Sequence, residues 1–462
     1  MATFSIHPEA EARFNQESER VLGLVERRPR QAPSEGPRPL VDIHTHQVPS
    51  GAIKGPVTGG LRTHDGNDLA IFRDFDGSQV GFFDSGYSDL EQVTNRIHQQ
   101  PSIRDLVTPK EVLTAFFEWS LKRHHGEISE PFLSFLDPYL SGHIAEYEVW
   151  VPINGLLLAG DLNLGEVVLR SVSKTLIERW KESCGKASQI PAPILDQKFV
   201  KDFQPIQGFA AGVAKRTGTL KRATEVAVED ISRIVEIIRA FHFPVLRSGV
   251  RSHLALKGQE SHPIEFVFTL GSEGCPRTQQ SIVGAAPMDF FIDQDQASRL
   301  GQCGVWYACG WLFRKRTALE DQILASISLL SRSALTTDLS DRLVYVFAAL
   351  ESLLLQGETE PILHAVAERF AFFAADDGPS RKDLRERVRK VYGLRSRFVH
   401  HGHQPSDRDL IDQFLLDVHV FFMLLIGRSK DFESKTVLLN RIDEIKLNGE
   451  SFGQDYPDPG AP

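Results

Sequence analysis

The clearest regular pattern of apolar positions lies between Leu220 and Phe241. There Ala227, Ile231, Ile234, Ile237, Ile238 and Phe241 recur at helical spacing and predict an amphipathic helix. From about Leu319 onward the chain reads almost entirely as helices with explicit stops. Ser340 is expected to cap a helix through Glu351, Pro361 falls near the first turn of the next, and Gly378-Pro379 separates that helix from its successor. Ser380-x-x-Asp383 and Ser406-x-x-Asp409 resemble capping boxes, and each opens a run with apolar residues three and four apart. The sum is a bundle of four or five helices. In the helix from Ser380, Leu384, Val388, Val391, Leu394 and Phe398 make one buried seam, while Arg385, Arg389 and Lys390 project elsewhere. Arg395 follows Val388 by two turns and falls close to that seam.

The first half has a different texture. Strand-like runs occur at Ala70-Ile71-Phe72, from Tyr147 to Ile153 and from Val167 to Val172, with a helical run near Glu111 to Leu121 and Gly and Asp as turn residues. A further β-like patch spans Ile264 to Leu270. The pattern gives an α+β protein, an N-terminal mixed α/β region followed by an all-α helical bundle. Its expected parts are a flexible arm over residues 1–37, a mixed α/β domain over 38–215, a connecting region over 216–335, the helical domain over 336–448 and a disordered tail over 449–462.

Composition adds bounds. A chain of 462 residues, 41% apolar and 24% charged, predicts two or three soluble globular domains. No apolar run approaches the length needed to cross a bilayer, and the first residues lack a basic start and an apolar core, so the expectation is a cytoplasmic protein without membrane contact. Cys184, Cys275, Cys303 and Cys309 form no C-x-x-C pair and indicate neither a disulfide framework nor a zinc site. The net charge of −9 argues against coating nucleic acid along the whole surface. Positive charge is instead concentrated from Arg381 to Lys390, running directly into Arg395 and Arg397. That segment is either a solvated helix face or an RNA-facing groove with Arg385, Arg389 and Lys390 as contacts.

The candidate chemistry sits where this segment ends. Arg395-Ser396-Arg397-Phe398-Val399-His400 is an R-x4-H element, followed at once by His401-Gly402-His403. An Arg guanidinium offers a fixed fork of donors that fits a phosphate, and a His moves a proton near neutral pH. Arg395 would orient the scissile phosphate and stabilise charge building on its oxygens, with His400 as base on a ribose 2′-hydroxyl or as acid for the leaving 5′-oxygen. Such cleavage leaves a 2′,3′-cyclic phosphate, spares DNA and needs neither metal nor cofactor. Ser396 could hold the phosphate or orient His400, or could bond back to a helix carbonyl. Arg397 adds charge, and His401 and His403 crowd the same turn. An Arg near an apolar seam is costly to desolvate unless an anion meets it, either a carboxylate such as Glu351 or a phosphate.

Taken in order, Arg342 to Leu354, Ala367-Glu368-Arg369-Phe370-Ala371 and Val391-Tyr392-Gly393-Leu394-Arg395-Ser396 with the R-x4-H end resemble the ApeA-like branch of the HEPN superfamily of nucleotide-binding domains. The resemblance covers roughly the last quarter of the chain. It implies a homodimer in which two copies of Arg395 and His400 face one another, a supporting role for Glu351, and Arg369 at a recurrent polar position with a structural part. It also implies an RNA-cleaving toxin in anti-phage defence, halting growth of the infected cell. The N-terminal region would then sense or restrain, with a phage-derived trigger, a nucleotide or another copy of the chain as its candidate partner.

Two competing readings stand beside this one. A catalytically silent HEPN module would bind RNA or hold a dimer together with the same helices. Near the front, Leu40-Val41-Asp42-Ile43-His44-Thr45-His46 looks like the first-strand D-x-H-x-H of amidohydrolase and TatD-type barrels, in which His44 and His46 would bind a metal. The repeated strand and helix units of such a barrel are not found in the rest of the sequence.

Overall fold

The computed structural model describes residues 4–29, 58–62, 68–75, 77–187, 191–258, 264–270, 276–282, 287–357 and 359–452. The chain is α+β, mixed in its first half and mostly helical in its second. It divides into two compact units, residues 1–148 with 215–226, and residues 149–214 with 227–462. The region from Val149 to Ala214 thus belongs with the helical bundle rather than with the chain before it.

The first unit is built on an antiparallel sheet of β1 (Glu26–Pro29), β2 (Thr58–Arg62), β3 (Asp68–Phe75) and β4 (Ser78–Phe83), in the order β1-β4-β3-β2. Its helices are α1 (Pro8–Leu22), α2 (Asp84–His98), α3 (Pro109–His124) and α4 (Phe132–Ser141). Thr108 and Glu111 close a reciprocal capping box at the start of α3. Phe116 from α3 is the centre of an aromatic core, with ring centroids 4.7 Å from Phe132, 5.1 Å from Trp119 and 6.3 Å from Phe82. The supposed N-terminal arm is part of this unit. Phe14, Ser18 and Val21 share one face of α1 and are buried, so apolar burial fixes a segment whose Pro, Arg and Glu content reads as mobile.

A five-stranded sheet consists of β5 (Ala145–Asn154), β6 (Leu162–Leu164), β7 (Val167–Ser171), β8 (Ala210–Gly218) and β9 (Ala255–Leu256), in the order β9-β5-β8-β7-β6, and all of it but residues 145–148 and 215–218 falls in the second unit. β10 (Ile264–Leu270) pairs with β11 (Pro276–Ile282) as an antiparallel hairpin. The amphipathic helix α5 (Leu220–Ala240) forms as its spacing predicts and buries Ala227, Ile231, Ile234, Ile237 and Ile238. α6 (Ala318–Ser333), α7 (Leu339–Leu354), α8 (Ile362–Ala374), α9 (Gly378–His401), α10 (Arg408–Arg428) and α11 (Lys435–Asn448) complete the bundle around one apolar core.

Several helix starts differ from expectation for one reason. Aspartates one to three residues away outcompete the serines as caps, because an ionised carboxylate accepts more strongly from backbone N–H groups. Asp338, not Ser340, caps α7 and accepts from the Ser340 and Asp341 amides at 2.8 and 3.0 Å. Asp377 caps α9 and Asp407 caps α10. Ser340 instead lies buried and donates to Gln404 Oε1 at 2.9 Å, tying the loop after α9 to the start of α7.

Arg342 locks the beginning of α7. It is fully buried and donates to five carbonyls, of Ser333, Pro244, Arg247, Val250 and Thr336. Burial pulls its pKa down to about 10, still cationic at neutral pH. A second departure concerns α10. Residues 408–431 are long and apolar enough to cross a membrane by length and composition, contrary to the expectation of no such run. Phe414, Val418, Phe421 and Leu425 of this helix lie in the bundle core, which accounts for its apolarity without a lipid phase.

Candidate functional site

α9 presents the R-x4-H element. Asp377 caps its start, and Val388 and Val391 are buried on its inner face with Leu384, Leu394 and Phe398 half-buried beside them. The helix runs unbroken through His401 and stops at Gly402, whose φ of 70° suits a residue without Cβ. The Gly402 amide donates to Phe398 O at 2.7 Å and the His403 amide to Arg397 O at 3.4 Å, closing the last turn.

This continuity separates the two principal residues. At about 100° per residue, positions five apart on a helix point about 140° away from one another. Arg395 lies on the inner face with Val388 and Val391, and His400 projects to solvent. No hydrogen bond or ring contact joins them, so within one chain the pair is not brought to a single point.

Arg395 is half-buried at the edge of the core, beside Tyr392 and within electrostatic reach of Glu351. Its guanidinium carbon lies 5.5 Å from the centre of the Tyr392 ring, which packs edge-on against Phe347 from α7 at 5.0 Å. Arg395 Nε and Glu351 Oε1 are both buried and both lack a hydrogen-bond partner among the described residues. The two side chains form no ion pair within 4 Å, yet they sense each other's charge. Burial raises the Glu351 pKa and the Arg395 cation opposes the shift. Burial also raises the Tyr392 pKa, assisted by Glu351 and opposed by Arg395. Glu351 thus stands near Arg395, as the sequence suggested, without neutralising it through a direct bond. Tyr392 went unnoticed in sequence as a site residue, although an aromatic three positions before an Arg on a helix is the available signal.

The remaining candidates divide between the two faces. His400, His401 and His403 are exposed, with ring centroids 6.4 Å apart for the first pair and 6.3 Å for the second. Ser396 is half-buried and makes no hydrogen bond among the described residues, so it does not bond back to a carbonyl. Arg397 and Lys390 are exposed and Arg389 is half-buried, none with an ion-pair partner among the described residues. Arg385 leans toward α8, with Nη1 3.8 Å from Glu368 Oε1, a carboxylate also held by Lys446 and by His364 at 3.2 Å. It is therefore partly committed within the protein. Arg387 Nε lies 2.8 Å from Asp417 Oδ2, close enough for an ion pair but without hydrogen-bond alignment. Arg369 is a structural residue, bidentate to Glu360 at 2.9 and 3.0 Å and bonded to Leu354 O at 2.7 Å.

His44 and His46 lie outside the described residues. Among the described residues no three His, Cys, Asp or Glu side chains cluster as ligands for an ion. No family model, no curated protein and no solved structure matches this chain, so the likeness to ApeA-like HEPN domains rests on its motif residues alone.

Proposed function

We propose that the chain is a metal-independent HEPN-type endoribonuclease whose complete site needs two copies of the protein. The observation that carries the reading is the unpartnered Nε of a half-buried Arg395, near the end of a basic helix that terminates in an exposed His400. No bond within the described residues holds this guanidinium, and its Nη1 and Nη2, which are not among the buried unpartnered atoms, are the donors a phosphate oxygen would reach, where they would stabilise charge that builds there. The imidazole then removes the 2′-hydroxyl proton or protonates the 5′-oxygen. Because Arg395 and His400 of one chain point apart, Arg395 of one copy would work with His400 of the other across a two-fold interface. Arg389, Lys390 and Arg397 supply local positive charge for the strand. The proposed setting, an RNA-cutting effector of anti-phage defence with a trigger acting on the N-terminal region, follows from the resemblance.

The test is incubation of wild type, Arg395→Ala and His400→Ala with total RNA and tRNA in EDTA, scoring fragments and their ends. Wild type should yield fragments with 2′,3′-cyclic phosphate ends, and each variant should leave RNA intact. Mixing the two inactive variants should restore part of the cleavage, because a mixed dimer holds one site with both residues intact. Cleavage by wild type without restoration on mixing would reject the shared site, and equal cleavage by all three proteins would reject both residues.

The separation of Arg395 from His400 favours one alternative, a module that binds RNA without cutting it. That reading expects RNA to be retained and intact with all three proteins, with Arg395→Ala weakening the binding.

A further inference from the structure

Arg239, in the last turn of α5, is nearly as deeply set as Arg342 but is satisfied differently. It retains 6% of its surface, and burial pulls its pKa down to about 10. Its Nε donates to Ser331 Oγ at 2.8 Å and Ser331 O at 3.3 Å, and its Nη1 to Leu254 O at 2.7 Å. Arg342 uses all three guanidinium nitrogens on carbonyls. Arg239 leaves Nη2 without a hydrogen bond among the described residues. That nitrogen is also absent from the buried polar atoms that lack a partner, so it keeps access to open space.

The space in question is a cavity of about 180 Å³ lined by Arg239 with Ser232, Glu236, Leu256 and Arg332. Arg332 and Glu236 form no ion pair among the described residues, and both lie within electrostatic reach of Arg239. Two cations and one carboxylate therefore surround a small concavity, and the charge left over is positive. An arginine stays charged in such a setting, so an anion relieves its desolvation. The three bonds through Nε and Nη1 fix the guanidinium plane, so little freedom is lost when Nη2 meets a ligand.

We propose that this cavity is a binding site for a small oxyanion, a phosphate or a carboxylate group, with Arg239 Nη2 and Arg332 donating to its oxygens. Glu236 and the Ser232 hydroxyl accept from a donor on the same ligand, which favours a protonated phosphate over a simple carboxylate. The cavity takes such a group with room beside it, which suits the end of a metabolite as well as the ion itself. The site is independent of Arg395 and His400.

The experiment is calorimetric titration of the full chain in a chloride buffer with inorganic phosphate and, separately, with acetate, to millimolar concentration. Saturable binding of phosphate is expected, weakened about tenfold or more by Arg332→Ala through the loss of one charge-assisted hydrogen bond. Arg332 is exposed, so the variant should fold, which an unchanged melting midpoint without ligand verifies. Saturable binding of acetate alone, lost in the same variant, would assign the site to carboxylates. No saturable binding of either ion, or equal affinity in wild type and Arg332→Ala, overturns the proposal. Arg395→Ala in the same titration should bind phosphate as wild type does.

Discussion

Arg342 at the start of α7 and Arg395 near the end of α9 belong to one helical bundle and are treated in opposite ways. The first is fully buried and every one of its nitrogens meets a carbonyl. The second is half-buried, stacked near one ring, and keeps a buried nitrogen without a partner beside a carboxylate it does not touch. Buried polar groups are normally satisfied, so the first arrangement is what stability alone produces. The second forgoes stability that a direct ion pair would have supplied. Unused donors at a core edge are what binding requires, and the contrast separates a staple from a site.

The largest effect should come from the staple. Arg342→Met keeps much of the volume but strands five carbonyls, at a cost of at least about 3 kcal/mol in chemical denaturation. A loss below about 1 kcal/mol would mean that water replaces the guanidinium and that the interior is less closed than its burial implies.

Acid should act next on the same interior. His242 and His419 have pKa values lowered to about 4 by burial, against 6.5 when exposed. Both are neutral in the fold, His242 bonded to Ser252 Oγ at 3.0 Å and His419 with Nδ1 unpartnered. The unfolded chain takes up protons first as pH falls. Stability is therefore full above pH 6.5 and is lost between 6.5 and about 4, by up to about 1.4 kcal/mol per pH unit for each histidine. His419→Gln should remove its share of that slope, measured as denaturation midpoints between pH 7 and pH 5. An unchanged slope would show that His419 is already solvated.

Arg395→Ala should do the reverse of Arg342→Met. It gives up a ring contact and no ion pair, so stability should stay within about 1 kcal/mol of wild type while RNA cleavage is lost. A stability loss as large as that of Arg342→Met would make Arg395 a second staple and would remove the ground for a site at this position.

How much of this was legible in the sequence follows the same division. Helical spacing locates α5 and the bundle, and the sequence positions of Val388 and Val391 place Arg395 near a seam. The caps were misplaced by a few residues, because a serine and a nearby aspartate offer similar signals and only geometry decides which oxygen reaches the free amides. Residues 4–29 were misread because the local Pro and Arg content outweighed a short stripe of Phe14 and Val21, whose burial depends on elements far along the chain. The spacing of R-x4-H suggested proximity that a continuous helix denies, since five residues carry the chain about 140° around the axis. Nothing in the sequence marks Arg239 or the stapling role of Arg342, because their acceptors are mostly backbone carbonyls brought together by the fold.

The finest test of the contrast is Glu351→Gln. Burial raises the Glu351 pKa from its ordinary 4.5, and Arg395 opposes that shift without cancelling it. A raised carboxyl pKa means that the fold prefers the protonated form. The group's favourable contribution is then present below the unfolded value and is lost as pH rises through the folded one, so at pH 7 the ionised side chain is a small liability. Replacing it with an uncharged amide of the same shape should leave stability at pH 7 unchanged or raised by at most about 0.5 kcal/mol, with the advantage vanishing below pH 4.5. If the variant is instead clearly less stable than wild type at pH 7, attraction to Arg395 outweighs desolvation. Charge attraction to Glu351 would then help hold the end of α9, and Arg395 would be committed within the protein instead of available to a phosphate.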